Sequence, residues 1–181
     1  NAEGKERLMK FQNEEINCLS CHNGNVADSD ILSQVNKPYK HNVFNYTQIH
    51  DPIEPSEITQ AHVECADCHN PHKLNSSTAN APFANGFISG VKGIDTEGIS
   101  KLQIDYEYEL CYRCHADSPN KPGSITIRQI EQNNTRLEFD INNPSFHPVE
   151  GTGKNSSVPS LISPLTETSL IYCTNCHSSD D

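Results

Sequence analysis

Cys18-Leu-Ser-Cys21-His22, Cys65-Ala-Asp-Cys68-His69, Cys111-Tyr-Arg-Cys114-His115 and Cys173-Thr-Asn-Cys176-His177 are four copies of one pattern, and they use every cysteine of the 181-residue chain. Two cysteines three positions apart lie about one helical turn from each other. Both thiols then reach the two vinyl groups of one porphyrin as thioethers, and the histidine that follows falls under the iron. This is the covalent anchor of c-type haem. Four copies predict four covalently bound haems, held by Cys18 and Cys21, Cys65 and Cys68, Cys111 and Cys114, and Cys173 and Cys176, with His22, His69, His115 and His177 as proximal ligands.

Paired cysteines also serve zinc, redox dithiols and disulfides. Zinc ribbons share the Cys-x-x-Cys spacing, and two pairs per ion would use all eight thiols. That reading gives the following histidine no role. Histidine fills 9 of 181 positions, so its chance appearance after all four pairs has a probability of about 6 in a million. A thioredoxin-type dithiol has no reason to recur four times.

The composition fits a chain whose interior is supplied from outside. Leu, Ile, Val and Phe number 10, 15, 7 and 6, about 21% of the residues, and the formal net charge is −11. An ordinary chain with so few core residues and so much charge stays disordered. Four flat apolar porphyrins would supply the missing core, so haem attachment and folding are expected to be inseparable. The expected fold class is a mostly irregular multihaem cytochrome c, a single domain over residues 1–181.

The charge balance, 24 acids against 13 bases without a basic run, argues against nucleic acid and against an anionic membrane surface. No stretch has the length of a membrane span, and the chain opens at Asn1 without a methionine or an apolar leader. The expectation is a secretory signal already removed. Haem is attached to this motif outside the cytoplasm, which places the chain in the periplasm or beyond the cell.

The motifs begin 47, 46 and 62 residues apart, with no shared text between them. With about 45 residues per haem, neighbouring porphyrins can hardly avoid contact. Glu3 to Ile16 has helix-forming composition, and short helices are expected at each motif. Ser124 to Ile141 alternates apolar and polar residues around Asn133-Asn134, which predicts a β-hairpin over 124–141. Residues 73–98 and 144–164, rich in Asn, Ser, Gly and Pro, read as loops over haem faces. Acidic runs such as Asp105-Tyr-Glu-Tyr-Glu109 read as solvated faces, and the tyrosines beside the motifs as packing on porphyrin edges.

Five histidines lie outside the motifs: His41, His50, His62, His72 and His147. Four irons with one proximal histidine each need four more ligands, and these five meet the demand. The lone methionine, Met9, could serve one haem at most. His62 and His72 flank the second motif too closely to fold over their own haem, so each is expected to reach a neighbour. His50 reads as the spare. Two imidazoles per iron leave no open coordination site, so the chain is expected to carry electrons and not to be an enzyme.

Three stretches carry a resemblance: HVECADCHNPH at 62–72, YELCYRCHADSPNKPG at 108–123, and FHPVEGTGKNSSVPSLISPL at 146–165 followed by IYCTNCH at 171–177. Together they resemble the extracellular tetrahaem cytochromes of metal-reducing bacteria, in particular the OmcE type. The resemblance implies a subunit that polymerises head to tail with identical subunits into a conductive extracellular filament, stacking haems end to end for anaerobic respiration. It also implies other multihaem cytochromes or extracellular metal oxides as electron acceptors, and a distal ligand that crosses between subunits. The competing expectation is a soluble periplasmic tetrahaem shuttle that works as a monomer.

Overall fold

The computed structural model describes residues 9–46, 50–51, 53–56, 60–118, 127, 129–130 and 132–177. Among these, regular structure is sparse. The α-helices are α1 (Glu14–Leu19), α2 (Ile31–Gln34), α3 (Cys65–Cys68) and α4 (Glu107–His115), and the strands β1 (Gly93–Ile94) and β2 (Ser100–Lys101) pair antiparallel. The chain divides into two compact units, one drawing on Asn1–Glu54 and His62–Cys68, the other on Pro55–Ala61 and His69–Ser178.

In the first unit α1 follows the N-cap residue Asn13, with Glu14 and Glu15 in its first turn, where carboxylates face the positive end of the helix dipole. Asn17 ties the helix to the segment before it: its amide nitrogen donates to the Asn13 and Phe11 carbonyls at 2.7 and 3.0 Å, and its Oδ1 accepts from Phe11 N at 2.8 Å. The His22 carbonyl then accepts the Ile31 and Leu32 amides at 3.0 and 3.1 Å, so the end of the first motif holds the start of α2. Asp30 completes that start by accepting from Ser33 N at 3.2 Å. The helix expected from Glu3 to Ile16 overlaps α1 only at its end; residues 3–8 lie outside the described residues, and 9–13 are irregular.

The second unit is built on α4. Its core joins Ile94, Tyr108, Tyr112, Ala116 and Val149, with Tyr106, Phe139, Ile171 and Cys173 packed around them. β1 lies against α4 because Gly93 has no side chain: a Cβ there would collide with Ile104 and sit 2.8 Å from the Glu109 carbonyl oxygen. The β1–β2 turn closes on Asp95, whose Oδ1 accepts from Glu97 N and Ile99 N at 2.9 and 2.8 Å, and on Gly98 at φ +81°.

In the acidic run 105–109 only Asp105 is solvated; the two glutamates are not. Glu109 is 2% exposed and Glu107 8%. Glu109 Oε2 accepts from Asp105 N at 2.7 Å and Tyr106 N at 3.1 Å, and Oε1 pairs with Lys101 Nζ at 2.9 Å. The carboxylate caps α4 and ties it to β2. Glu109→Ala would leave the Asp105 and Tyr106 amides without their acceptor and Lys101 paired with Asp105 alone, an expected loss of roughly 1–3 kcal/mol. Denaturant titration of the haem-loaded protein measures it, and a change below about 0.5 kcal/mol, ordinary for a surface site, would deny the carboxylate this role.

The β-hairpin expected over 124–141 is not what the described residues show. Residues 124–126, 128 and 131 lie outside them, and Thr135–Glu138 forms a 3-10 helix. Asn134 suits a tight turn, but its side chain also caps a helical turn, and here it accepts from Arg136 N at 3.1 Å. Arg136 anchors that turn by donating to the Thr96 carbonyl and to Asp117 Oδ2. The pairing strands lie instead in and beside the 73–98 stretch that reads as loop, fixed by Asp95 and Gly98.

Candidate functional site

Each Cys-x-x-Cys-His sits on a helical turn. Cys18 lies in the last turn of α1, and the His22 amide donates back to the Cys18 carbonyl at 3.0 Å. The fourth motif repeats this: His177 N donates to the Cys173 carbonyl at 3.1 Å, after a 3-10 turn over Cys173–Asn175. α3 spans Cys65–Cys68, and α4 carries Cys111, Cys114 and His115 in its last two turns. The helical turn brings both thiols of a motif to one side of the backbone, which a two-point attachment requires.

The thiols are half-buried or exposed, and none is in a disulfide. They meet in pairs across motifs. A hydrogen bond with Cys65 holds the Cys18 thiol below its ordinary range, and one with Cys111 does the same for Cys173. The first thiol of motif one therefore lies beside the first of motif two, and the first thiol of motif three beside the first of motif four. Among the described residues no three thiols converge on a point where a metal ion could sit.

Of the proximal histidines, His69 is the most informative. Its Nδ1 lies 2.9 Å from the Phe87 carbonyl oxygen, which can only accept, so Nδ1 carries the proton and Nε2 is presented as a ligand. This second contact is what a metal-bound imidazole uses to fix its tautomer and orientation. His22, His69, His115 and His177 are all exposed, as are His41, His72 and His147. His147 lines an apolar cavity of about 590 Å³ with Phe146, Val158, Leu161, Leu165 and Ile171.

His50 and His62 are placed differently. His50 Nδ1 lies 3.2 Å from Glu64 Oε2, and His62 Nε2 lies 3.1 Å from Glu54 Oε1 while its ring stacks on Tyr46 at 4.7 Å. Around them Glu14, Glu15, Glu64 and Asp67 are buried. Burial, and after it the neighbouring Glu14 and Asp67 carboxylates, pushes the Glu64 carboxyl up to about 8. Sequence reasoning missed this cluster. The available signal was the carboxylate at the third position of the motif-two turn, a capping position: Asp67 Oδ2 accepts from Glu64 N at 2.8 Å.

The donor set fits haem. Large hydrophobic residues left exposed number seventeen among the described residues, against eight in the core, so there is apolar surface for porphyrin faces to cover. Four thiol pairs on helical turns, each followed by an exposed histidine, are the arrangement that a multihaem c-type cytochrome requires.

Comparison with known proteins points the same way. Over 108 residues, 58% of this chain, the sequence is 28% identical to the multiheme cytochrome MtrA of Shewanella baltica (strain OS185). The match covers 26% of that relative, so the chain spans about a quarter of its length. No protein-family model matches the chain, and no solved structure matches it. The likeness supports a multihaem c-type cytochrome with covalently bound haem.

Proposed function

We propose that this chain is a tetrahaem electron carrier outside the cytoplasm, and a subunit of an extracellular conductive filament of the OmcE type. The observation that carries the electron-transfer part is the pairing of complete motifs: Cys18 beside Cys65, and Cys111 beside Cys173. Motifs whose anchoring atoms lie together would hold their prosthetic groups close to one another.

The residues divide the work simply. Cys18 and Cys21, Cys65 and Cys68, Cys111 and Cys114, and Cys173 and Cys176 form the thioethers. His22, His69, His115 and His177 would take the proximal positions and His41, His62, His72 and His147 the distal ones, with His50 as the spare. When bound, haem supplies a one-electron iron couple, whose potential two imidazoles set lower than a histidine–methionine pair does. The Phe87 carbonyl holds the His69 ring in the ligating tautomer. Full ligation leaves no position for a substrate, so the reading is a carrier and not an enzyme. Among the described residues no helix is long and apolar enough to cross a membrane.

Intact-mass measurement is expected to show four haem additions, and magnetic resonance only low-spin ferric signals. Fewer additions, or a substantial high-spin component in native protein, would overturn the tetrahaem, bis-histidine assignment.

A further inference from the structure

Seven of the nine histidines are exposed; His50 and His62 are not, and both face carboxylates. The carboxylates near His50 are rigidly held. Glu14 Oε1 accepts from Ala66 N at 2.8 Å and Oε2 from His50 N at 3.3 Å, and Asp67 Oδ2 is fixed by the Glu64 amide. Glu64 is the exception. Its side chain is 3% exposed, Oε2 meets His50 Nδ1 at 3.2 Å, and Oε1 is buried with no hydrogen-bond partner among the described residues. A buried carboxylate oxygen left without a donor is costly. That oxygen is open to a proton or to a cation.

The donor atoms of His50, Glu64 and Asp67 all lie within 4.8 Å of one another, and His50 Nδ1 stands 3.2 and 3.6 Å from the two carboxylates. Donors bound at about 2.0–2.2 Å to one ion lie roughly 3–4 Å apart, so small movements would close the set. An imidazole nitrogen among carboxylate oxygens favours a first-row transition metal over calcium or magnesium, which take oxygen. We propose that His50, Glu64 and Asp67 bind one divalent first-row metal ion, separate from the haem irons. The ion would neutralise the buried acids and clamp the segment at His50 to α3, which carries the second haem motif. The proposal rests on the four-haem reading at one point: with His50 assigned to this ion, the four remaining distal candidates match the four irons in number.

The probe is Zn²⁺. Haem-loaded protein, treated with chelator and desalted, is titrated by calorimetry, with iron and zinc counted by elemental mass spectrometry. One Zn²⁺ per chain beyond four irons is expected. Glu64→Gln, nearly isosteric, and His50→Ala should each weaken that binding by roughly a hundredfold, with the iron count and the low-spin spectrum unchanged. No stoichiometric zinc in the parent, or full affinity in Glu64→Gln, would overturn the site. So would a high-spin ferric signal in His50→Ala, since it would make His50 a haem ligand. An iron count below four would sink the tetrahaem reading, and the zinc titration would still decide this one.

Discussion

Cys111→Ala is expected to cost the cell most of its secreted, folded protein, with at least a tenfold fall in yield, and to alter the potentials of the surviving haems far less. Cys111 sits within α4, beside Cys173, at the centre of the second unit. The buried cluster of that unit is small: Ile94, Tyr108, Tyr112, Ala116 and Val149. A porphyrin that buries roughly 400 Å² of apolar surface contributes on the order of 10 kcal/mol. The whole stability of an ordinary domain is about 5–15 kcal/mol. Weakening one attachment therefore acts on a quantity as large as the total, whereas the other three motifs keep their own cysteines and histidines. Cys68→Ala should behave alike. The measurements are secreted yield, far-ultraviolet circular dichroism and a redox titration of whatever is secreted. A haem-free chain that folded cooperatively with native secondary structure would show that the porphyrins are not the core.

What could be read in advance follows the range of the interaction. The helical turns at the motifs are legible because a Cys-x-x-Cys spacing and a histidine amide bonding four residues back are local facts, as at His22 and His177. Alternation over 124–141 is a weak hairpin signal when no neighbouring sheet enforces it, and Thr135–Glu138 departs from it. There Asn134 capping Arg136, and Arg136 reaching Thr96 forty residues away, decide for a 3-10 turn. The burial of the acidic residues is hard to read for the same reason. Nothing local says that Glu109 caps α4 against Lys101, or that Glu14 accepts the amide of Ala66, 52 residues distant. Of the nine histidines, the sequence could count supply against demand. Only the structure separates the exposed His41, His72 and His147 from the pair set among carboxylates.

Purified protein is expected to assemble into fibres, and replacing one exposed distal histidine should dissolve them into tetrahaem monomers. The net charge of −11 opposes self-association, so the contact between subunits must bury apolar surface, exchange a ligand, or do both. Exposed residues such as Phe83, Phe87 and Leu165 offer the first. For the second, a ligand that crosses to another subunit must stand at the surface. His41, His72 and His147 do, whereas His62 is stacked on Tyr46 with its side chain 6% exposed. The variants to make first are therefore His41→Ala, His72→Ala and His147→Ala, with His50→Ala as the control that leaves fibres intact. One of the three should lose fibres and gain a high-spin ferric signal from about one haem in four, because the iron deprived of its partner-supplied imidazole has nothing to replace it. A head-to-tail contact that does not close on itself gives a filament and not a ring. Screening the like charges with about 0.15 M salt, where the Debye length falls to about 8 Å, should speed assembly. Negative-stain microscopy and sedimentation read the outcome. If all eight axial ligands come from one chain, the ligand exchange is gone and only apolar burial remains. Protein that stays monomeric at high concentration and near-neutral pH would sink the filament and leave a soluble tetrahaem shuttle.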